Sequence, residues 1–316
     1  MRRPSVLIAA LTLLAIGAAA VFLTWGVDGH WDFALPRRAQ QVAALVIVGA
    51  AIAVSTVIFQ TITRNRILTP SIMGFDALYV LLATSLVFFL GSATAASIPP
   101  LTMFLIRAGL LMVSATLLYR AVLGNGKRGL YTLVLVGVIA GTLFSSLTSF
   151  MFRVMDPNAY DALLADLFAS FNAIDTTLLG ISSVLLAAGI GAAYWLGPQL
   201  DVLTLGRERA ITLGVNYQRA LTQILLVIGL LVSVSTALIG PISFLGLLVA
   251  NLAYQLTRTY KHAVNLTVAA LIAIVALLAG QALLQHVLHF NGTLSSIINL
   301  VGGIYFILLL VKESQK

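Results

Sequence analysis

Residues 40–62 read QQVAALVIVGAAIAVSTVIFQTI, a run that contains no Asp, Glu, Lys or Arg. About 20 apolar residues in a helix cross the roughly 30 Å hydrocarbon core of a bilayer. The backbone N–H and C=O groups of such a segment must bond within the segment, because hydrocarbon offers them no other partner. The run therefore predicts a membrane-spanning α-helix.

Nine further apolar runs lie along the chain. The ten predicted spans are 6–25, 40–62, 74–91, 99–121, 130–152, 174–197, 220–238, 242–257, 263–287 and 294–312. The third and eighth are short and begin near Pro70 and Pro241, so we expect both to start inside the bundle. The sequence thus predicts an all-α integral membrane protein of about ten helices, with residues 1–316 forming a single transmembrane domain.

The composition supports this class and excludes others. Hydrophobic residues make up 60% of the chain and charged residues 9%, against about a quarter charged in soluble proteins. The absence of cysteine excludes disulfides, Fe–S clusters and thiol chemistry. The net charge of +8 is spread over loops and forms no dense tract, so we expect contact with membrane lipid and not with nucleic acid.

Lys and Arg are divided unevenly between the two sets of loops. One side holds Arg2, Arg3, Arg64, Arg66, Arg120, Lys127, Arg128, Arg207, Arg209, Arg219, Arg258, Lys261, Lys312 and Lys316. The other side holds only Arg37, Arg38 and Arg153. Because Lys- and Arg-rich loops stay cytoplasmic, both termini are predicted to be cytoplasmic, which agrees with an even number of spans.

The longest positively charged loop, about 199–219, reads LTLGRERAITLGV from Leu203 to Val215. This pattern predicts a short amphipathic helix at the cytoplasmic face, offered to a soluble partner. The chain has no nucleotide site of its own to supply energy. The segment GNGKR at 124–128 lacks both the upstream Gly and the Ser or Thr after Lys that a phosphate loop needs.

Few polar side chains fall within the predicted spans. Arg107 is the only Lys or Arg away from the span ends, and a charge in the bilayer usually faces protein or water. Arg107 has two possible roles. It contacts an anionic substrate, or its side chain extends to the membrane surface or pairs with an aspartate of an outer loop. Gln60 and Asn65, near the inner end of the second span, are candidates for a path or gate. The small residues of that span permit close helix packing.

His286 and His289 lie three residues apart near the outer end of the ninth span. No Cys or carboxylate nearby completes a metal site, so we expect neither a metal nor a catalytic residue in this chain. No Asp or Glu occupies a span centre, whereas ion-coupled carriers commonly use such carboxylates as relays. An ion-coupled secondary transporter remains the alternative from a different class.

Several separated motifs resemble one family. They are Leu35-Pro36-Arg37; VGAAIAVS at 48–55 with Gln60; Asn65, Pro70 and Gly74; Gly206, Ala210, Leu213 and Gly214; and GPISFLGL at 240–247. Together they are similar to the permease subunits of bacterial ABC importers for iron–siderophore complexes, relatives of the cobalamin and haem importer permeases. The resemblance extends from about Leu35 to Lys312.

The resemblance implies a type II ABC importer permease in the bacterial inner membrane. Its partners would be an identical or related second permease, two cytoplasmic ATPase subunits that use ATP and Mg, and an extracytoplasmic siderophore-binding protein. No cofactor would be bound by this chain. The path would be lined by the second, fifth and eighth spans.

The resemblance also implies roles for individual residues. The contact with the ATPase would be made by Gly206, Arg207, Glu208, Arg209, Ala210, Leu213 and Gly214. Arg37, with its neighbour Arg38, would dock the binding protein, and a headgroup anchor is the alternative.

The chain departs from the family pattern at Ala34, at Arg66, at Ala250-Asn251 and at Gly302-Gly303-Ile304. These departures resemble the subgroup encoded beside a second permease, often for catecholate siderophores. Haem, cobalamin or another metal chelate stays open as cargo.

Overall fold

A computed structural model describes residues 4–27, 29, 31–123, 130–167, 171, 174–289 and 293–314. Every regular element in these residues is a helix. The α-helices are α1 Pro4–Thr24, α2 Trp31–Thr63, α3 Phe75–Leu90, α4 Ser92–Ser97, α5 Pro100–Leu123, α6 Leu130–Val154, α7 Pro157–Leu167, α8 Thr176–Trp195, α9 Gly197–Leu203, α10 Arg207–Thr212, α11 Tyr217–Ile239, α12 Leu245–Thr257, α13 His262–His286 and α14 Leu294–Ser314. A 3₁₀ turn, Ser71–Met73, precedes α3.

The structure has a helix at each of the ten predicted spans. Within the described residues, seven helices are long and apolar enough to cross a membrane: α1, α2, α5, α6, α8, α11 and α13. Three further apolar helices are shorter: α3, α12 and the part of α14 at Leu294–Leu308. The all-α membrane fold is confirmed, and the count of ten crossings stays a prediction.

Two helices, α2 and α11, form the centre of the bundle. In their most apolar windows 67% and 72% of the residues are buried, against 6% in α1. Helix α2 packs against α13, α11, α8 and α12, whereas α1 packs mainly on α13. Close packing is a main attraction between helices in lipid, and the small residues Ala44, Gly49 and Ala53 of α2 are buried at these contacts.

The two short helices begin inside the bundle, as predicted. Helix α3 follows Gly74 (φ +87°) and α12 follows a loop that opens at Gly240 (φ +90°), and both glycines are buried. The Ser243 hydroxyl donates to a carboxylate oxygen of Asp76 at 2.6 Å. This bond joins the starts of the two short helices, so each fixes the depth at which the other begins.

Candidate functional site

The predicted amphipathic segment contains two short helices, α9 and α10, joined at Gly206. Gly206 has φ +98° and Gly214, after α10, has φ +85°, so glycine allows the sharp turns at both ends of α10. Ala210 is fully buried and seats α10 against the bundle. The segment is therefore held in a defined position and does not hang free.

The opposite face of this segment is exposed and partly apolar. Arg207, Glu208 and Arg209 are exposed, and Leu205, Ile211 and Leu213 are 46%, 52% and 61% exposed. We call the last three residues the apolar patch. Of the seven residues predicted to contact the ATPase, five lie on the exposed side of the segment, whereas Gly206 and Ala210 are buried.

At the inner end of α2, two amides hold one carbonyl group. The side-chain nitrogen of Gln60 donates to the carbonyl oxygen of Arg66 at 2.7 Å. The side-chain nitrogen of Asn251, on α12, donates to the same oxygen at 3.0 Å. The Gln60 amide oxygen is buried without a hydrogen-bond partner in the described residues. This clamp ties α2 and α12 to the loop that directly follows α2.

Asn251 was not predicted as a site residue, because it was recognised only as a departure from the family pattern. Asn65, which was predicted, is exposed. Its side-chain oxygen accepts from the backbone N–H of Ile67 at 2.9 Å. Asn65 therefore shapes the turn that follows α2, and its role at a path or gate stays a prediction.

Arg107, on α5, lines a cavity of about 400 Å³ at the outer end of the bundle. The cavity wall is mostly apolar and includes Phe104 and Leu163. Arg107 is only 8% exposed, so its side chain lies inside the protein. The anionic contact, the snorkelling and the pairing with an aspartate all stay predictions for Arg107.

Arg37 and Arg38, predicted together as a docking pair, point in different directions. Arg37 is exposed and its guanidinium carbon lies 4.4 Å from the centre of the Phe33 ring. Arg38 is 8% exposed, and one guanidinium nitrogen donates to the carbonyl oxygens of Phe22 and Trp25 at 3.0 and 2.6 Å. Arg38 thus caps the C-terminal end of α1, where carbonyl groups lack helical partners.

Replacing Arg38 should therefore destabilise the protein. The change Arg38→Met is expected to lower the free energy of unfolding by about 2 kcal/mol, because charge-assisted hydrogen bonds to buried carbonyls are lost. The neighbouring change Arg37→Met is the control and should leave stability unchanged. Unfolding by titration with sodium dodecyl sulfate measures both. Equal stability of the two variants would contradict the capping role.

The two histidines considered as metal ligands are separated by their packing. The His286 ring stacks on Trp25 with 4.8 Å between ring centroids and an interplanar angle of 10°, whereas His289 is exposed. No group of three or more His, Asp or Glu side chains suited to a metal occurs among the described residues. The GNGKR segment at 124–128, compared above with a phosphate loop, lies outside the described residues. Helix α5 ends at Leu123, directly before it.

Of the three spans expected to line a path between two permeases, the structure buries α2 within this chain. Helix α6, the fifth predicted span, has only 17% of its apolar window buried. Its exposed side carries the hydroxyl groups of Thr142, Ser145, Ser146 and Ser149. The lining of the path by the second, fifth and eighth spans stays a prediction.

The sequence profile of the FecCD transport family matches residues 5–312. This chain belongs to the FecCD transport family. The match covers all fourteen helices except the extreme ends of the first and last. The segment formed by α9 and α10, called the coupling segment below, and the clamp both lie within the matched residues.

Two relatives of this chain are petrobactin import permeases. The petrobactin import system permease protein YclO of Bacillus subtilis (strain 168) is 47% identical over 98% of each chain. The petrobactin import system permease protein FatC of Bacillus anthracis is 36% identical over 88% of this chain and 78% of its own. A solved metal-chelate type ABC transporter in an inward-facing conformation has the same fold. Its TM-score is 0.86 at 22% identity, covering 98% of this chain and 100% of its own.

Proposed function

We propose that this chain is a permease subunit of an ATP-driven importer for ferric siderophore complexes. The observation that carries the proposal is the 47% identity to a petrobactin import permease over nearly the full length of both chains. Ferric petrobactin is accordingly the first cargo to test. The chain sits in the inner membrane of a bacterial cell with both termini in the cytoplasm, and it works beside a second permease, identical or related.

The energy comes from two cytoplasmic ATPase subunits that bind ATP and Mg, while this chain binds no cofactor. The exposed apolar patch on α9 and α10 supports this arrangement. Leu205, Ile211 and Leu213 would be poorly placed on a face that meets only water, whereas apolar patches on soluble surfaces mark contacts with other proteins. The surrounding Arg207, Glu208 and Arg209 form a polar rim of the kind that frames such contacts.

The cargo passes between the two permeases along α6. A ferric siderophore is large and polar, so it needs hydroxyl groups that bond weakly and not a tight pocket. The hydroxyl groups of Thr142, Ser146 and Ser149 each donate to the carbonyl group four residues earlier in α6. Their oxygens remain available to accept from water or cargo, so this surface binds the cargo only weakly.

At the outer face, Arg37 is the residue that docks an extracytoplasmic binding protein. Its exposure and its position at the start of α2 support this role, because a rim charge steers a partner of opposite charge. Arg38 contributes indirectly by fixing α1 beside α2. At the inner face, the clamp formed by Gln60 and Asn251 on the Arg66 carbonyl closes the path between transport cycles.

Uptake in a strain that lacks this permease tests the proposal. We expect labelled ferric petrobactin to accumulate only when the gene is restored and only when the partner ATPase can hydrolyse ATP. Haem and cobalamin uptake, measured in the same strains, separates the alternative cargoes. Accumulation that survives an inactive ATPase but is abolished by collapsing the membrane potential would instead establish an ion-coupled carrier.

A further inference from the structure

A line of polar contacts runs from the coupling segment to the inner end of α2. It begins at Asp201 on α9, whose carboxylate oxygen accepts from the backbone N–H of His262 at 2.8 Å. The same oxygen is hydrogen-bonded to the Nδ1 atom of the His262 ring at 2.5 Å. Asp201 therefore fixes both the start of α13 and the orientation of its first side chain.

The second half of the line joins α13 to α2. The Nε2 atom of His262 lies 2.8 Å from the hydroxyl oxygen of Thr61. That hydroxyl also lies 2.8 Å from the carbonyl oxygen of Val57, so Thr61 bonds both to α13 and to its own helix. His262 is 3% exposed and Thr61 is 7% exposed, so both side chains are largely shielded from water.

The two ends of this line belong to parts of the molecule with different tasks. Asp201 lies on α9, three residues before the start of the exposed part of the segment at Thr204. Thr61 follows Gln60, the α2 member of the clamp. Gln60, Thr61, His262 and Thr204 all line one cavity of about 280 Å³ at the cytoplasmic face. A displacement of α9 would therefore alter the wall of the cavity next to the clamp.

A second contact joins the same two parts of the chain. A Cβ atom on Gly206 would lie 3.3 Å from a guanidinium nitrogen of Arg64, so the Arg64 side chain lies across the turn between α9 and α10. Arg64 directly follows α2 and has a positive φ of 51°. The inner end of α2 therefore meets the coupling segment at two places: through Thr61 and His262 at Asp201, and through Arg64 at Gly206.

We propose that Asp201, His262 and Thr61 form a rigid link that transmits movement of the coupling segment to the clamp at the inner end of α2. This inference rests on the proposed function. Apolar contacts are non-directional and allow helices to slide, whereas short buried hydrogen bonds fix both distance and direction. His262 suits this task because its two ring nitrogens, on opposite sides of one rigid ring, bond to two different helices. These are positioning residues and do not touch the cargo.

The test uses the complete importer reconstituted in lipid vesicles, with its second permease, ATPase subunits and binding protein. Asp201→Asn keeps the shape of the side chain and removes its charge. Thr61→Val keeps the volume and removes the hydroxyl group. For both variants we expect cargo transported per ATP hydrolysed to fall about tenfold, which corresponds to about 1.4 kcal/mol of lost coupling. The rate of ATP hydrolysis and the amount of assembled complex should stay close to those of the unaltered importer.

Thr63→Val is the matched control, because within the described part of the chain the Thr63 hydroxyl bonds only to carbonyl groups of its own helix. It should transport normally. The double variant Asp201→Asn with Thr61→Val should be no worse than the poorer single variant, since one broken bond already interrupts the line.

Three results would overturn the proposed link. They are a normal ratio of transport to hydrolysis in both single variants, losses that multiply in the double variant, and losses that merely follow the amount of assembled complex. Failure of the unaltered importer to accumulate cargo with ATP would instead refute the proposed function. The two failures are therefore distinguishable within one set of vesicles.

Discussion

The variant Gly74→Ala should lower the free energy of unfolding by about 3 kcal/mol. Two costs combine. Gly74 has φ +87°, and the left-handed region costs an L-residue about 1–2 kcal/mol. A Cβ atom there would also lie 2.8 Å from the Cα atom of Gly141 and 3.0 Å from the carbonyl oxygen of Gly137. Those atoms belong to the backbone of α6 and cannot rotate away, and overpacking of this kind costs about 1–3 kcal/mol.

Two control variants separate these costs. Gly214 has a similar φ of +85°, but a Cβ atom there would meet nothing within 4 Å, so Gly214→Ala measures the backbone cost alone. Gly141 is helical, and a Cβ atom there would lie 2.9 Å from the Cα atom of Gly74, so Gly141→Ala measures the close contact alone. All three are measured by titration with sodium dodecyl sulfate. If Gly74→Ala is no less stable than Gly214→Ala, α3 and α6 do not meet as the structure describes.

The variant Leu213→Asp should disconnect the permease from its ATPase. Leu213 is 61% exposed, so the change should leave the fold intact. In the assembled importer the apolar patch is expected to be buried against the ATPase, where an unpaired carboxylate is strongly disfavoured. A central interface residue contributes about 2 kcal/mol or more, so affinity for the ATPase should fall at least about thirtyfold. ATP-driven uptake should be lost with it.

Leu213→Met is the matched variant, because it keeps an apolar side chain of similar volume at the same position. It should bind the ATPase and transport cargo as the unaltered chain does. Affinity is measured by titrating purified ATPase onto the permease in detergent, and unfolding of both variants is followed in parallel. Full affinity in the Leu213→Asp variant would show that the ATPase binds elsewhere on the cytoplasmic face.

The residues changed in these two experiments were predicted to be important from the sequence, but their neighbours in space were not. The glycine at position 74 and the segment around Leu213 were both identified from the sequence. Their neighbours were not, because Gly137 and Gly141 lie more than 60 residues from Gly74 along the chain. Likewise, Asn251 and Gln60 bond to the same carbonyl group although they belong to helices far apart in sequence. Only the packing of the helices brings such residues together.

Adjacent residues with the same side chain give the clearest contrast. Arg37 and Arg38 carry equal charge at one end of α2, and the sequence offered no reason to separate them. Successive residues on a helix point about 100° apart, so one side chain reaches the end of α1 and the other remains exposed. Which of the two does so depends on where α1 lies, and that is a property of the assembled bundle.

The sequence by itself determined the class of the protein, the places where it meets the membrane and its predicted orientation. Long uncharged runs and unevenly divided Lys and Arg residues suffice for this, because a hydrocarbon solvent admits few alternatives. Only the tertiary structure decided which face of each helix is buried. Lipid tails are as apolar as a protein core, so residues facing either one are drawn from the same apolar set and hydrophobic periodicity does not separate them.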